Sequence, residues 1–165
     1  MNNDIIQDRG IHDQVHAERP TRTLQLIRVT SLLCGIFENE IATIASWREP
    51  TPLPQAPQTV LGVVSIQGRM LTVLNLATLL DGDASGDHNY QHILALRGDE
   101  QLALAIDSVV ETIEISDAVL DPEQANSKGL VLGIINHGGA EITILNVKEL
   151  FRSAIQGRER RRRRF

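Results

Sequence analysis

Aromatic residues, cysteines and long apolar runs are all scarce in this sequence. Phe, Trp and Tyr together make up 3% of the 165 residues, so a core must be built mostly from Val, Ile, Leu and Ala. The single cysteine, Cys34, excludes an internal disulfide and fits a reducing compartment. No apolar run approaches the roughly 20 residues of a membrane-spanning helix, and the polar N-terminus lacks the apolar segment of a secretory signal. We therefore expect a cytoplasmic protein without membrane insertion.

Motifs for catalysis and metal binding are also missing. The sequence has no Gly-rich phosphate loop, no HExxH and no cysteine pair. His88 and His92 are four residues apart, but HNYQH does not read as the helix that this spacing requires. Asp81 and Asp83 resemble the start of a calcium loop, yet the twelfth position holds His92 instead of Glu. We predict a non-enzyme with no cofactor and no metal site; a regulatory metal- or ligand-binding module that uses the acidic stretch Asp81–Asp87 is the alternative.

Charge is distributed unevenly along the chain. The formal net charge is −5, but the last eight residues, Arg158–Phe165, contain six Arg and one Glu, which leaves 10 basic and 20 acidic residues elsewhere. Such an acidic body is not typical of a nucleic-acid reader, and we expect no nucleic-acid partner. The Arg-rich tail, residues 157–165, fits a solvated chain end. A tail that tethers the chain to nucleic acid or to anionic lipid is the alternative.

An internal repeat is the strongest positive signal. Val60–Leu80 reappears without a gap, 71 residues later, as Val131–Phe151, with identical residues at eight of 21 positions. Two copies indicate a duplicated domain and not a solenoid. Each copy reads as strand, turn and strand. The first turn is Gln67–Arg69, and the second contains Gly138–Gly139, which supply the positive φ angles of a two-residue hairpin turn.

An Asn residue after each repeat hairpin predicts a helix. Asn75 and Asn146 are favoured N-cap residues because their side-chain oxygen accepts a hydrogen bond from the first helical turn. Glu149, three residues after Asn146, completes a capping-box pattern.

Short apolar runs predict the remaining strands. Leu24–Phe37 reads as one long or two short strands, and Ile41–Trp47 as a returning strand. Arg48–Pro57 contains four prolines, which favour an extended connection over a regular ladder. His92–Ile115 reads as a strand–turn–strand unit. Many short strands with regular turn signals are typical of small β-barrels or a sandwich.

Three segments in this order resemble the CheW-like domain of bacterial chemosensory systems. They are LLCGIFENEIATIASWREP, TPLPQAPQTVLGVVSIQGRMLTVLNLATLL and LALAIDSVVETIEI, within about Leu24–Phe151. The resemblance implies a mainly β fold of two small intertwined five-stranded SH3-like barrels, with short helices after the repeat strands and at the C-terminus. We expect one domain over residues 24–156, with barrel halves at about 32–80 and 93–151. Residues 1–23 are expected to be disordered or loosely packed.

The resemblance also implies a function. CheW-like proteins are non-enzymatic adaptors that couple the cytoplasmic tips of methyl-accepting chemoreceptors to the regulatory domain of a CheA-type histidine kinase. In the family, receptor tips lie in the groove between the two barrels, and the kinase docks on barrel ends. Such an adaptor is cytoplasmic and associates with receptor arrays at the inner membrane. A divergent system, such as one that controls type IV pili, is the alternative.

Partner-binding residues follow from the same match. They are Trp47, Arg48, Glu49, Ser65, Gln67, Gly68, Arg69, Asp107 and Val109. Gln67 stands where the family usually has Arg, so a neutral hydrogen bond replaces a charge-assisted one, and Arg69 is the candidate replacement. An alignment of His92–Ile115 with Leu33–Glu49 places Val109 opposite Trp47. Asp107 also has a structural explanation, as a side chain that satisfies backbone in a turn.

Overall fold

Ten strands make up most of the computed structural model, which describes residues 20–81, 88–98, 101–120, 129–150 and 152–153. The strands are β1 (Thr21–Val29), β2 (Leu32–Phe37), β3 (Ile41–Ser46), β4 (Val60–Ile66), β5 (Arg69–Leu74), β6 (His92–Leu96), β7 (Leu102–Ile106), β8 (Ser108–Ser116), β9 (Val131–His137) and β10 (Ala140–Leu145). The helix α1 (Leu76–Asp81) follows β5, and residues 147–150 are helical after β10. The predicted mainly β fold, with short helices after the repeat strands, is confirmed.

The strands form two five-stranded sheets of matching order. Sheet I has the order β8-β1-β2-β10-β9, and sheet II has the order β3-β6-β7-β5-β4. Neighbouring strands are antiparallel except for the parallel pairs β2–β10 and β5–β7. One order becomes the other when each strand is replaced by the strand five places further along the chain, counting on from β10 to β1. The sheets are therefore related by an internal pseudo-two-fold.

Each sheet takes strands from both halves of the chain. The chain crosses from sheet I to sheet II between β2 and β3, through a 3-10 turn at Glu38–Glu40, and returns between β7 and β8, through Asp107. The sequence halves 32–80 and 93–151 are thus copies of the repeat and do not coincide with the sheets. The unit read as His92–Ile115 is three strands, because Asp107 divides the last apolar run where the chain changes sheet.

Three apolar cores explain the strand sequences. One lies inside sheet I, one inside sheet II, and the third fills the space between the sheets. In β7, Leu104 and Ile106 face the inter-sheet core, whereas Ala103 and Ala105 face the inside of sheet II. A strand buried on both faces reads as a continuous apolar run. The small alanines leave room inside sheet II for larger side chains from other elements.

Two details of the chain differ from expectation. Strand β1 begins at Thr21, within the segment expected to be loosely packed, because Thr21–Thr23 pair with the end of β8.

Asn75 caps α1 as predicted, with its Oδ1 accepting from the Thr78 N–H at 3.3 Å. The capping box at Asn146 does not form, since the Asn146 N–H donates to the Leu130 carbonyl at 2.8 Å. Residues 1–19 and the tail 157–165 lie outside the described residues.

Candidate docking surface

Trp47 lies just beyond the end of β3 and is half-buried against the core of sheet II. Its backbone N–H donates to the Gln91 carbonyl at 2.9 Å. Its ring centroid is 5.0 Å from that of Tyr90, with the planes tilted by 32°. Tyr90 in turn stacks on His88, at 4.9 Å between centroids. Aromatic pairs in such geometry attract each other beyond their apolar burial. Trp47 is therefore both a core residue and a partly exposed one.

Arg48 and Glu49 are exposed, and the chain that carries them closes sheet II. The Arg48 Nη1 donates to the Ser65 carbonyl on β4 at 3.0 Å. Thr51 and Val63 exchange two backbone hydrogen bonds, each 2.9 Å long. Because β3 and β4 are the two edges of sheet II, this bridge brings the continuation of one edge against the other. The closure places the end of β3 beside the β4–β5 hairpin.

The β4–β5 hairpin ends in a two-residue turn. Ile66 pairs with Arg69, and the turn residues Gln67 and Gly68 have φ angles of 51° and 76°. Arg69, which the sequence placed in the turn, is the first residue of β5. The hairpin tip is exposed from Gln67 to Arg69, and the next residue, Met70, is 58% exposed. A large apolar side chain thus lies among polar ones.

The β9–β10 hairpin has the same turn with different side chains. Gly138 and Gly139 have φ angles of 60° and 80°, as predicted for a two-residue turn. Ala140 and Glu141 take the places of Arg69 and Met70 and are exposed. The two tips share a backbone geometry, so their chemical difference lies in the side chains.

Asp107 fixes the turn between β1 and β2. Its Oδ2 accepts a hydrogen bond from the Thr30 N–H at 2.8 Å, and its own N–H donates to the Arg28 carbonyl at 2.9 Å. Thr30 has a positive φ of 54°, which is rare for a β-branched residue. Burial, and then the Asp107 charge, raise the pKa of Tyr90 to about 12. Asp107 thus has a structural role and lies near the aromatic stack.

Val109 lies on the other sheet, away from Trp47. It pairs with Ile27 on β1, at the edge of sheet I, and is 37% exposed. The alignment that set Val109 opposite Trp47 is wrong, because β8 is the counterpart of β3. Val109 is the second residue of its strand, whereas Trp47 follows the end of β3. The structure therefore brings together the predicted residues from Trp47 to Arg69 and leaves Val109 apart.

Tyr90, His88 and Met70 belong to this surface or support it, and sequence reasoning missed them. Tyr90 is the single tyrosine of the chain and precedes a strand, which gives no sign of its contact with Trp47. The sequence gives only a weak indication that Met70 is exposed. It follows the turn, at a position where the alternation of side chains along a strand directs it outward.

In the described part of the chain, no three or more His, Cys, Asp or Glu side chains are grouped so that they could hold a metal ion. No helix in the same residues has the length and apolar character needed to cross a bilayer. The acidic stretch after Asp81 lies outside the described residues.

Comparison with known proteins places the chain in a family. The family model described as the CheW-like domain matches residues 24–154. The chain belongs to the CheW-like domain family. It is 24% identical over 117 residues to the probable chemotaxis protein CheW of Rhizobium etli, covering 67% of this chain and 75% of that protein. It is 27% identical over 106 residues to the chemotaxis protein CheW of Helicobacter pylori, covering 62% and 64%.

One further relative and one solved structure extend the match. Protein FrzA of Myxococcus xanthus is 25% identical over 155 residues, covering 90% of this chain and 95% of FrzA. The crystal structure of the scaffolding protein TtCheW from Thermoanaerobacter tengcongensis superposes with a TM-score of 0.70 at 19% identity, covering 82% and 91%. The expected CheW-like fold of two barrels is thereby confirmed.

Proposed function

We propose that this CheW-like chain is a non-enzymatic cytoplasmic adaptor that holds a CheA-type histidine kinase and a chemoreceptor in fixed relative positions. Its partners would be the regulatory domain of the kinase and the cytoplasmic tip of the receptor, within receptor arrays at the inner membrane. Family membership supports the adaptor role. The observation that carries the proposal is a group of residues brought together on sheet II, which we call the hairpin rim: the half-buried Trp47 and the exposed Arg48, Glu49, Ser65 and Gln67–Met70.

The hairpin rim has the composition of a protein interface. Trp, Arg and Met are enriched in such surfaces, and Trp and Arg supply much of the binding energy. Trp47 is held by Tyr90 and by the core of sheet II, so little conformational entropy is lost when a partner covers it. Arg48 is held by its bond to the Ser65 carbonyl. We assign the kinase domain to this preorganised surface. Val109, with its neighbour Val110, would contact a different partner because both lie on sheet I.

Replacement of Met70 by Ser tests the assignment. Binding to the kinase regulatory domain, measured by titration calorimetry, should weaken about tenfold because an exposed apolar contact is lost. Arg69→Ala should act in the same direction. Glu141→Ser is the matched control, since Glu141 occupies the equivalent place in the second hairpin, and it should change the affinity less than about twofold.

Two results would contradict the proposal. Equal losses in Met70→Ser and Glu141→Ser would show that the hairpin rim is not the docking surface. Absence of binding by the folded wild-type protein to both the kinase domain and the receptor tip would reject the adaptor role itself.

A second candidate is the same adaptor role in a divergent chemosensory system, such as one that controls type IV pili. The match to FrzA favours it, because that match covers more of both chains than the matches to the proteins named CheW do. Affinity capture from the native cell, followed by identification of the bound kinase and receptor, distinguishes the two systems.

A further inference from the structure

Three side-chain rings contact one another beside the hairpin rim. The ring centroid of Tyr90 lies 5.0 Å from that of Trp47, with the planes tilted by 32°, and 4.9 Å from that of His88, with the planes only 6° apart. These are the contacts between rings in the described residues, in a chain that has one Trp and one Tyr. We call the three side chains the aromatic column. Tyr90 and His88 precede β6 and are not part of the hairpin rim itself.

Hydrogen bonding does not explain why His88 and Tyr90 occupy these positions. Both ring nitrogens of His88 and the hydroxyl of Tyr90 are buried, and none of them has a hydrogen-bond partner among the described residues. Burial of a polar group without a partner lowers the free energy of unfolding, whereas an apolar side chain of similar size carries no such cost. Stability alone would therefore favour an apolar residue at either position. What the two side chains supply is a flat ring that lies against another ring.

The segment that carries Tyr90 also fixes the main chain of Trp47. The Trp47 N–H donates to the carbonyl of Gln91, the residue after Tyr90, at 2.9 Å. This hydrogen bond sets where the Trp47 side chain starts, but it leaves the two side-chain torsions free. The core of sheet II covers only part of the indole, and the Tyr90 ring supplies the further contact that restricts these torsions.

Restriction of Trp47 before binding favours its contact with a partner. An aromatic side chain that is already ordered loses little conformational entropy when another protein covers it. The contact between His88 and Tyr90 acts one step further from the surface, because it restricts the ring that restricts Trp47. The affinity of the hairpin rim thus depends on side chains that a partner need not touch.

We propose that Tyr90 is a positioning residue of the hairpin rim, whose ring holds the Trp47 indole in the orientation that a partner binds, and that His88 supports Tyr90 in this role. The inference rests on the proposed docking at the hairpin rim and adds a determinant of affinity outside it. The aromatic column also joins the two halves of the chain, because Trp47 precedes the connection between α1 and β6, and the other two residues lie at its end.

Tyr90→Leu tests the proposal, with Tyr90→Phe as the matched control. Leu offers no flat ring, so affinity for the kinase regulatory domain, measured by titration calorimetry, should fall about fivefold. Tyr90→Phe keeps the ring and removes the hydroxyl, so its affinity should stay within about twofold of wild type. When Trp47 is already replaced by Ala, Tyr90→Leu should cause no further loss, because it acts through Trp47.

Time-resolved fluorescence anisotropy of the single Trp tests the positioning without any partner. The fast rotation of the indole should have a larger amplitude in Tyr90→Leu, and to a smaller extent in His88→Leu, than in wild type or in Tyr90→Phe. Leu132→Ala is the control for lost stability, because Leu132 packs against the core of sheet I. It should lower the free energy of unfolding and leave both the anisotropy of Trp47 and the affinity unchanged.

Four results would overturn the proposal. They are an equal loss of affinity in Tyr90→Phe, the same loss in Leu132→Ala, a further loss when Tyr90→Leu is added to Trp47→Ala, and unchanged anisotropy in folded Tyr90→Leu. Failure of the wild-type chain to bind the kinase domain would instead reject the proposed docking. The anisotropy would still decide whether Tyr90 positions Trp47.

Discussion

Tyr90 packs against Trp47 of the hairpin rim and lies within range of the Asp107 charge at the β7–β8 crossing. Its hydroxyl is buried and has no hydrogen-bond partner among the described residues. Burial, and then the Asp107 charge, raise its pKa to about 12, because a phenolate there would lose its hydration and face a second negative charge. The neutral ring therefore remains a packing surface for Trp47 at any physiological pH.

Titration of the phenol absorbance should report Tyr90 alone, since the chain has one tyrosine. We expect a pKa of about 12 in the folded protein, against the ordinary 10.0 in denaturant. Asp107→Asn should lower the folded pKa, because it removes the charge and keeps an acceptor for the Thr30 N–H. An unchanged pKa in this variant would show that Asp107 does not act on Tyr90.

The same shift makes stability depend on pH in the alkaline range. The folded pKa of Tyr90 lies above the unfolded one, so the unfolded chain loses its proton first as the pH rises. The stability contributed by the neutral phenol is fully present below pH 10.0 and is lost as the pH rises through about 12. Tyr90→Phe should remove this component from the pH dependence of unfolding by urea. A Tyr90→Phe profile that matches wild type between these pH values would contradict the assignment.

At the scale of single residues, local chemistry decides what the sequence can predict. Gly138 and Gly139 were predicted in a turn because a two-residue hairpin turn requires positive φ angles, and Asn75 was predicted as an N-cap for an equally local reason. The contact of Tyr90 with Trp47 joins residues 43 positions apart and has no local signature. For the same reason, the burial of the Glu40 Oε2 without a hydrogen-bond partner among the described residues could not be read from its neighbours.

Among the elements, the β4–β5 hairpin is distinguished by the strand continuation that closes over it. Gly62 has a φ of 148°, and a Cβ at this position would overlap the carbonyl group of Thr51 and lie 3.0 Å from the Cβ of Pro50. The adjacent register shift between Val60 and Gly62 marks a bulge in β4. Only glycine lets the proline-rich segment approach the strand closely enough for the Thr51–Val63 bridge.

Gly62→Ala should therefore open sheet II at this bridge. We expect a loss of about 2–4 kcal/mol in unfolding free energy, from backbone strain and overlap together. The amide of Val63 should lose protection in hydrogen exchange, because it donates to Thr51. Gly68→Ala is the control: its φ is 76° and no atom lies within 4 Å of the added Cβ, so only strain of about 1 kcal/mol remains. Equal losses in both variants would show that the close approach is not required.

The repeat hairpins were predicted at the level of individual strands because their pattern and turn chemistry are both local. The division between β7 and β8 was not predicted. Asp107 lies inside an apolar run, and it separates two strands only because the strands on either side of it join different sheets. The capping box at Asn146 failed for a related reason. Its N–H is already bonded to the Leu130 carbonyl, as the Asn75 N–H is to the Thr59 carbonyl. Tertiary hydrogen bonds took precedence over a local motif.

At the scale of the whole molecule, the exchange of strands makes each half depend on the other. Sheet I combines β1 and β2 with β8–β10, and sheet II combines β3–β5 with β6 and β7. The first half alone would leave β2 without β10 and β5 without β7. Neither half can therefore complete a sheet or cover the inter-sheet core.

A chain cut in the connection between α1 and β6 should show this dependence. We expect each purified fragment to be unfolded alone, and an equimolar mixture to recover strand structure by far-ultraviolet circular dichroism. Trp47 emission should report the recovery, because Trp47 and its neighbour Tyr90 lie on different fragments. Cooperative unfolding of either fragment by itself would contradict the expected dependence.

The sequence repeat made two related barrels predictable, but not the features that depend on their relative placement. The repeat shows which segments correspond, and the resemblance to the CheW-like family supplied the intertwined arrangement. The cavity lined by Glu40, Arg97 and Lys148 could not be foreseen, because these residues come from three parts of the fold that are distant in the chain. None of them belongs to a motif.

A pair of identical subunits that exchanged their first two strands would have the same arrangement of sheets. In such a dimer, the two subunits would be held together only by their affinity for each other and would separate on dilution. Here the connection between α1 and β6 joins the two units, so each finds the other at a high effective concentration set by the linker and not by the amount of protein in the cell. Gene duplication followed by fusion would thus convert a concentration-dependent assembly into a spacer of constant geometry.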